Sequence, residues 1–137
     1  MEWSPICEKD VAEALRSTLS WKAPGRDQIQ NFWLKEFTAT HKHTADIFNK
    51  LIEEDFMSEW LMAGLTYLIP KNENTGNPNN YRPVTCLPTT YKLITSIISR
   101  RMQKYMDNEN LLPREHKGWS RGTKGCKDQL LISKAIL

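Results

Sequence analysis

The chain has 137 residues, 39% hydrophobic and 26% charged, with a formal net charge of +3. This is enough for one domain with a modest core, and so mild a positive excess permits nucleic-acid binding without requiring it, which leaves local clustering of cations to carry the argument. No apolar run approaches the ~20 residues of a membrane span, the start MEWSPICEKD lacks the charged head and apolar centre of a signal peptide, and Cys7, Cys86 and Cys126 are dispersed without a CxxC pair, so the reading is an intracellular protein, cytoplasmic or nuclear, with reduced thiols, no zinc site and no membrane partner.

Ser4 and Pro5 suit the start of a helix, and Glu8 and Asp10 favour its positive end. Val11, Ala14, Leu15, Thr18 and Leu19 give it a stripe, predicting a helix over about 6–19 that Trp21–Gly25 stops. Asp27 is placed to cap a second helix, Gln28 to Phe37, with Ile29, Phe32, Trp33 and Phe37 on one buried face. A third helix is expected over about 44–55, with Ala45, Ile47, Phe48, Leu51 and Ile52 as its apolar face. His41 and His43 before it have no third ligand nearby, which favours a solvated start of that helix over a metal site. Ser58–Leu61 reads as a short helical turn anchored in the core by Trp60.

Residues 67–93 read YLIPKNENTGNPNNYRPVTCLPTTYKL. Leu65, Tyr67 and Ile69 alternate with Thr66, Leu68 and Pro70, predicting a strand with a buried face. Asn72–Asn80 holds five Asn with Gly76 and Pro78 and should be a loop. Tyr81–Thr85 returns as a second extended piece, kept at a sheet edge by Pro83. Lys71 and Arg82 thus end and begin the two arms of a hairpin. Two cations beside backbone donors suit a polyanion such as a triphosphate; two solvated charges next to a loop are the alternative.

Tyr91, Ile94, Ile97, Ile98, Met102, Tyr105 and Met106 then recur at helical spacing, with Lys92, Arg100, Arg101 and Lys104 on other faces. This predicts an amphipathic helix over about 88–107, ended by Asp107–Asn110, whose basic side either meets phosphate or is simply solvated. In HKGWSRGTKGCKD, Lys117, Arg121, Lys124 and Lys127 lie among Gly118, Gly122 and Gly125. Glycines let backbone amides approach phosphate, and the cations add long-range attraction. Asp128–Leu137 looks like the start of a further helix.

Taken together, LIPK, a polar loop, NYRPVTCLPTTYKL and a basic amphipathic helix resemble the fingers region of a reverse transcriptase of the non-LTR (LINE-type) retrotransposon branch. KAPGRD upstream and LLPREHKGWSRGTKGCKDQLL downstream agree in order, so the resemblance covers about residues 8–137. It departs in two places: Gln28 stands where the family's K-x-PG-x-DG turn has its second glycine, and His116–Trp119 keeps the glycine and aromatic of Gln-x-Gly-Phe without the glutamine. The resemblance implies an α+β, mostly helical fold with one small β-hairpin, residues 1–137 forming a single partial domain without the palm. It implies RNA-templated DNA synthesis in the complete enzyme, with template RNA or an RNA–DNA duplex and a deoxynucleoside triphosphate as partners. Lys71 and Arg82 would grip the triphosphate, and Lys117, Gly118, Trp119, Arg121 and Lys124 the nucleic acid; the KAPGRD turn would approach template RNA.

Such polymerases use two divalent metals held by aspartates. In the family those follow the helix that begins here near Gly125, and Asp27, Asp46, Asp55, Asp107 and Asp128 have no matching context. No catalytic or metal-binding residue is therefore assigned. The chain should carry no cofactor of its own, Mg²⁺ should be needed only in the complete enzyme, and the chain should be inactive alone. A non-catalytic RNA-binding remnant or partner module derived from such an element, and an inert, partly folded remnant, stay open as alternatives.

Overall fold

A computed structural model describes residues 3–54, 57–111, 113 and 124–136. The chain divides into two compact units, Met1–Arg100 and Arg101–Leu137.

In the first unit, α1 (Glu8–Arg16) is capped at Cys7, whose N–H donates to the Asp10 carboxylate at 2.9 Å. The expected start at Ser4–Pro5 therefore moves to Cys7. The helix also stops earlier than its apolar stripe: the Ser17 and Thr18 hydroxyls fold back onto the carbonyls of Ala14 and Leu15 and compete with continued helix. Leu19 falls beyond the end and is exposed. Helix α2 (Asn31–Glu36) is shorter than expected, and Trp33 and Phe37 are exposed rather than buried.

A single 3₁₀ turn, Thr38–Thr40, leads into α3 (His41–Glu53). His41 is not a solvated helix start. It is buried, with Nε2 2.8 Å from the Leu34 carbonyl oxygen, which the ring N–H can satisfy. Helix α4 (Glu59–Met62) buries Leu61, whereas Trp60 is 59% exposed, so the anchor of this turn is the leucine.

The core joins α1, α3 and α5 (Thr89–Asn108): Val11, Ala14 and Leu15 meet Ala45 and Phe48, and Leu93, Ile94 and Ile97 from α5 complete the cluster with Ile6. Each Val, Leu, Ile or Phe side chain among them contributes about 1.5–3 kcal/mol on burial. Polar ties fix the pieces. The Asn49 side chain accepts from the Ile6 N–H at 2.7 Å and donates to the Ile6 carbonyl at 2.9 Å. Arg100 reaches Glu13 at 4.0 Å and donates to the Ser17 hydroxyl.

Strands β1 (Leu65–Pro70) and β2 (Tyr81–Cys86) pair antiparallel, from Leu65 opposite Cys86 to Pro70 opposite Tyr81. The expected buried face of β1 is not formed: Tyr67 and Ile69 are exposed, as are Thr66, Leu68 and Pro70. Alternation of apolar residues was enough to set the strand, but burial needs a covering layer that a two-stranded ribbon does not provide for itself.

In the second unit, Asn110, two residues past the end of α5, has φ 49°, and the Leu111 N–H donates to the Met106 carbonyl at 3.1 Å. This left-handed residue and long backward bond close the helix. Met102, read as part of the apolar stripe, is exposed, and Gln103 is buried with its amide donating to Asp107 at 2.8 Å. Helix α6 (Cys126–Ile136) follows Gly125, which has φ 59°.

Candidate nucleotide and nucleic-acid interface

The hairpin continues one step past the strand ends, because the Lys71 N–H donates to the Asn80 carbonyl at 2.7 Å. Arg82 lies opposite Ile69. Since alternate residues share a face of an extended strand, Lys71 falls on the face of Ile69 and Arg82, diagonal to the arginine. The sequence-expected neighbours thus meet on one surface. Their states differ. Lys71 Nζ donates to the Asn79 carbonyl at 3.2 Å, holding it to the connecting loop. The Arg82 side chain is exposed and makes no hydrogen bond or ion pair among the described residues. A guanidinium carries five N–H donors and no acceptor.

The loop between the strands is ordered from within. Buried Asn80 donates from Nδ2 to the side-chain oxygen of Asn72 and the carbonyl of Asn74. The Tyr81 hydroxyl donates to the Thr75 carbonyl at 2.9 Å, and Asn77 accepts from the Asn79 N–H at 3.0 Å. The Asn-rich composition is thus a set of side chains replacing missing backbone partners.

The base of the hairpin is pinned by small residues. A Cβ on Gly64 would lie 2.5 Å from the Thr85 side chain. A Cβ on Gly25 would lie 2.3 Å from the Leu87 carbonyl carbon and 2.4 Å from the Pro88 nitrogen. The KAPGRD turn therefore lies directly on the segment joining β2 to α5. Asp27 does not cap α2; its carboxylate accepts the Thr89 N–H at 2.8 Å and caps α5, while also accepting the Ile29 N–H at 3.4 Å. The Thr89 hydroxyl donates to the Ile29 carbonyl, and Lys92 Nζ to the Ala23 carbonyl at 3.3 Å. Two cations expected on the basic side of α5, Lys92 and Arg100, are therefore engaged inside the first unit. Sequence reading did not foresee this clamp, although the Gly-x-Asp spacing of a turn built for close approach was its visible sign.

Of the other nucleic-acid candidates, Lys117, Gly118, Trp119 and Arg121 lie outside the described residues. Lys124 is exposed, and its carbonyl accepts the Lys127 N–H at 3.3 Å at the start of α6. No group of three His, Cys, Asp or Glu side chains converges among the described residues. None of them offers the donor set of a two-metal centre, and no step of nucleotidyl transfer is assigned to them. No helix among the described residues is long and apolar enough to cross a membrane.

No family model matches the chain. Over 135 residues, 97% of its length, it is 27% identical to a protein named probable RNA-directed DNA polymerase from transposon BS, of Drosophila melanogaster. It is 25% identical over 89% of its length to the probable RNA-directed DNA polymerase from transposon X-element of the same fly. It is 26% identical over 98% of its length to the retrovirus-related Pol polyprotein from type-1 retrotransposable element R2 of Popillia japonica. The chain is similar along most of its length to RNA-directed DNA polymerases of non-LTR retrotransposons. It spans only 15%, 14% and 18% of the length of these three polymerases. The similarity to non-LTR polymerases takes in the hairpin, the KAPGRD clamp and α5 together, because each match covers at least 89% of the chain.

Proposed function

We propose that this chain is the fingers part of a non-LTR retrotransposon reverse transcriptase, and that its hairpin grips the triphosphate of an incoming deoxynucleotide. The observation that carries this reading is Arg82: an exposed guanidinium without a partner among the described residues, diagonal to Lys71 on one hairpin face, in a chain aligned almost throughout with RNA-directed DNA polymerases. A planar guanidinium donates to two phosphate oxygens at once, while the ammonium of Lys71 adds a mobile point charge once it leaves Asn79. Template RNA and Mg²⁺ belong to the same proposal, the metal being held by carboxylates of the complete enzyme.

Photo-crosslinking tests it. A polymerase containing this chain, loaded with primer–template and an azido-deoxyadenosine triphosphate, should be labelled within residues 65–86, and unlabelled triphosphate should compete the label away. Competable labelling confined to other segments would remove the hairpin from the nucleotide site.

A further inference from the structure

Four aromatic rings form a continuous row on the surface of the first unit. Trp21 stacks on Phe32 with centroids 4.7 Å apart and planes 14° from parallel. Phe32 meets Trp33 edge-on at 5.2 Å, and Trp33 stacks on Phe37 at 5.8 Å and 14°. These rings are not hidden: Trp21 is 68% exposed, Trp33 49% and Phe37 56%.

The row is held from beneath by polar bonds. Buried Asn31 donates to the Leu19 carbonyl at 2.9 Å, the Phe32 N–H to the Ser20 carbonyl at 3.1 Å, and Lys35 Nζ to the Thr18 carbonyl at 2.6 Å. Residues 18–20 are thereby fixed along α2, which sets Trp21 over Phe32. The row is thus two stacked pairs joined edge-on at Phe32 and Trp33, with Phe32 half-buried between exposed rings, and such prearrangement lowers the ordering cost of binding.

Charge next to the row selects the ligand. Lys22 follows Trp21 directly and Arg26 lies in the same turn; both are exposed and neither has a hydrogen bond or ion pair among the described residues. The carboxylates within 19–37 are Asp27, occupied with the Thr89 N–H, and Glu36. Exposed rings beside cations that have no partner among the described residues match a strand of unpaired bases on a phosphate backbone.

We infer that Trp21, Phe32, Trp33 and Phe37 form a stacking platform for single-stranded RNA, with Lys22 and Arg26 receiving its phosphates. RNA is the strand chosen because the chain is similar to RNA-directed polymerases. The platform uses no residue of the hairpin, so it stands or falls separately from the nucleotide grip.

The test uses the 137-residue chain and a fluorescein-labelled oligoadenylate of about twelve nucleotides, a length within the range of single-strand sites. Trp21→Ala and Trp33→Ala should each weaken binding about fivefold or more. Trp60→Ala, which removes an equally exposed ring outside the row, should not. Combined Lys22→Ala and Arg26→Ala should flatten the salt dependence by roughly 1.4 in log–log slope. Oligoadenylate should also quench wild-type tryptophan fluorescence and shield it from acrylamide, a reading that needs no variant to fold. Absence of quenching, equal loss from Trp60→Ala, or preference for duplex RNA or for the DNA strand of matching sequence would overturn the inference. So would loss of self-association in Trp21→Ala with RNA binding unchanged, which would give the surface to a second copy of the chain.

Discussion

The Asp27 carboxylate accepts the backbone N–H of Thr89 at 2.8 Å, joining residues 62 positions apart. It satisfies one of the orphan donors at the start of α5 and places a negative charge at the positive helix end. The same contact keeps the turn before α2 against the exit of the hairpin. Asp27→Ala should therefore cost about 0.5–2 kcal/mol, the usual range for a lost cap. Asp27→Asn should cost less, because an amide oxygen still accepts. Urea denaturation of both variants measures this; equal stability of Asp27→Ala and wild type would remove the cap from the account of the fold.

Gln28 occupies the left-handed region, with φ 56°. This is the position where the related turn has its second glycine, and the structure supplies the reason: a side chain there presses its Cβ against the following carbonyl, at a cost of roughly 1–2 kcal/mol. Gln28→Gly should raise stability by about 1 kcal/mol in the same denaturation assay. Gly25→Ala should do the opposite and more strongly, because its new methyl would meet backbone atoms of Leu87 and Pro88 within 2.4 Å and backbone cannot step aside as a side-chain tip can.

Leu61 and Trp60 are adjacent with opposite surroundings, 1% and 59% exposed. Leu61→Ala should destabilise by about 2–5 kcal/mol through lost burial and the cavity left behind. Trp60→Ala should stay within about 0.5 kcal/mol of wild type. Thermal unfolding of the pair would expose an error if the tryptophan variant were the weaker.

These cases show what was legible before the structure. Period and turn chemistry placed α5 within a residue or two and gave the hairpin and its loop, because those signals act along the chain. Burial was less legible. Trp33, Phe37, Trp60 and Met102 were all assigned inward on hydrophobicity, yet an apolar residue is buried only if another element arrives to cover it. The placing of Lys71 and Arg82 on one hairpin face follows from hairpin register, which is local in origin. The Asp27–Thr89 contact was misread as a local cap of α2, since nothing in the sequence states which helix end comes to a carboxylate.

The cations downstream of Pro113 make a separate prediction for RNA. Lys117 and Arg121 lie outside the described residues and Lys124 is exposed. Replacing all three with Ala should weaken RNA binding and reduce the log–log salt slope by about 2, because each lost phosphate contact releases roughly 0.7 fewer counterions from a single strand. Titrations at several salt concentrations decide it. An unchanged slope would assign phosphate contact to other cations of the chain.

Arg82 carries the sharpest consequence of the proposed function. In a polymerase that contains this chain, Arg82→Ala should lower nucleotide efficiency, kcat/KM, much more than template affinity. A charge-assisted hydrogen bond contributes about 1.5–3 kcal/mol, so the loss should be roughly tenfold or greater. Arg82→Lys should recover only part, since it keeps the charge without the fork. A purely structural Arg82 would behave otherwise. The bracing partner that such a role requires, for instance Glu73, is not joined to it by an ion pair among the described residues. On that structural reading both substitutions would depress the melting temperature and leave kcat/KM per folded molecule unchanged. Steady-state kinetics with the nucleotide varied, on variants matched for folded fraction, separates the two, and unchanged efficiency in Arg82→Ala would end the role proposed for this side chain.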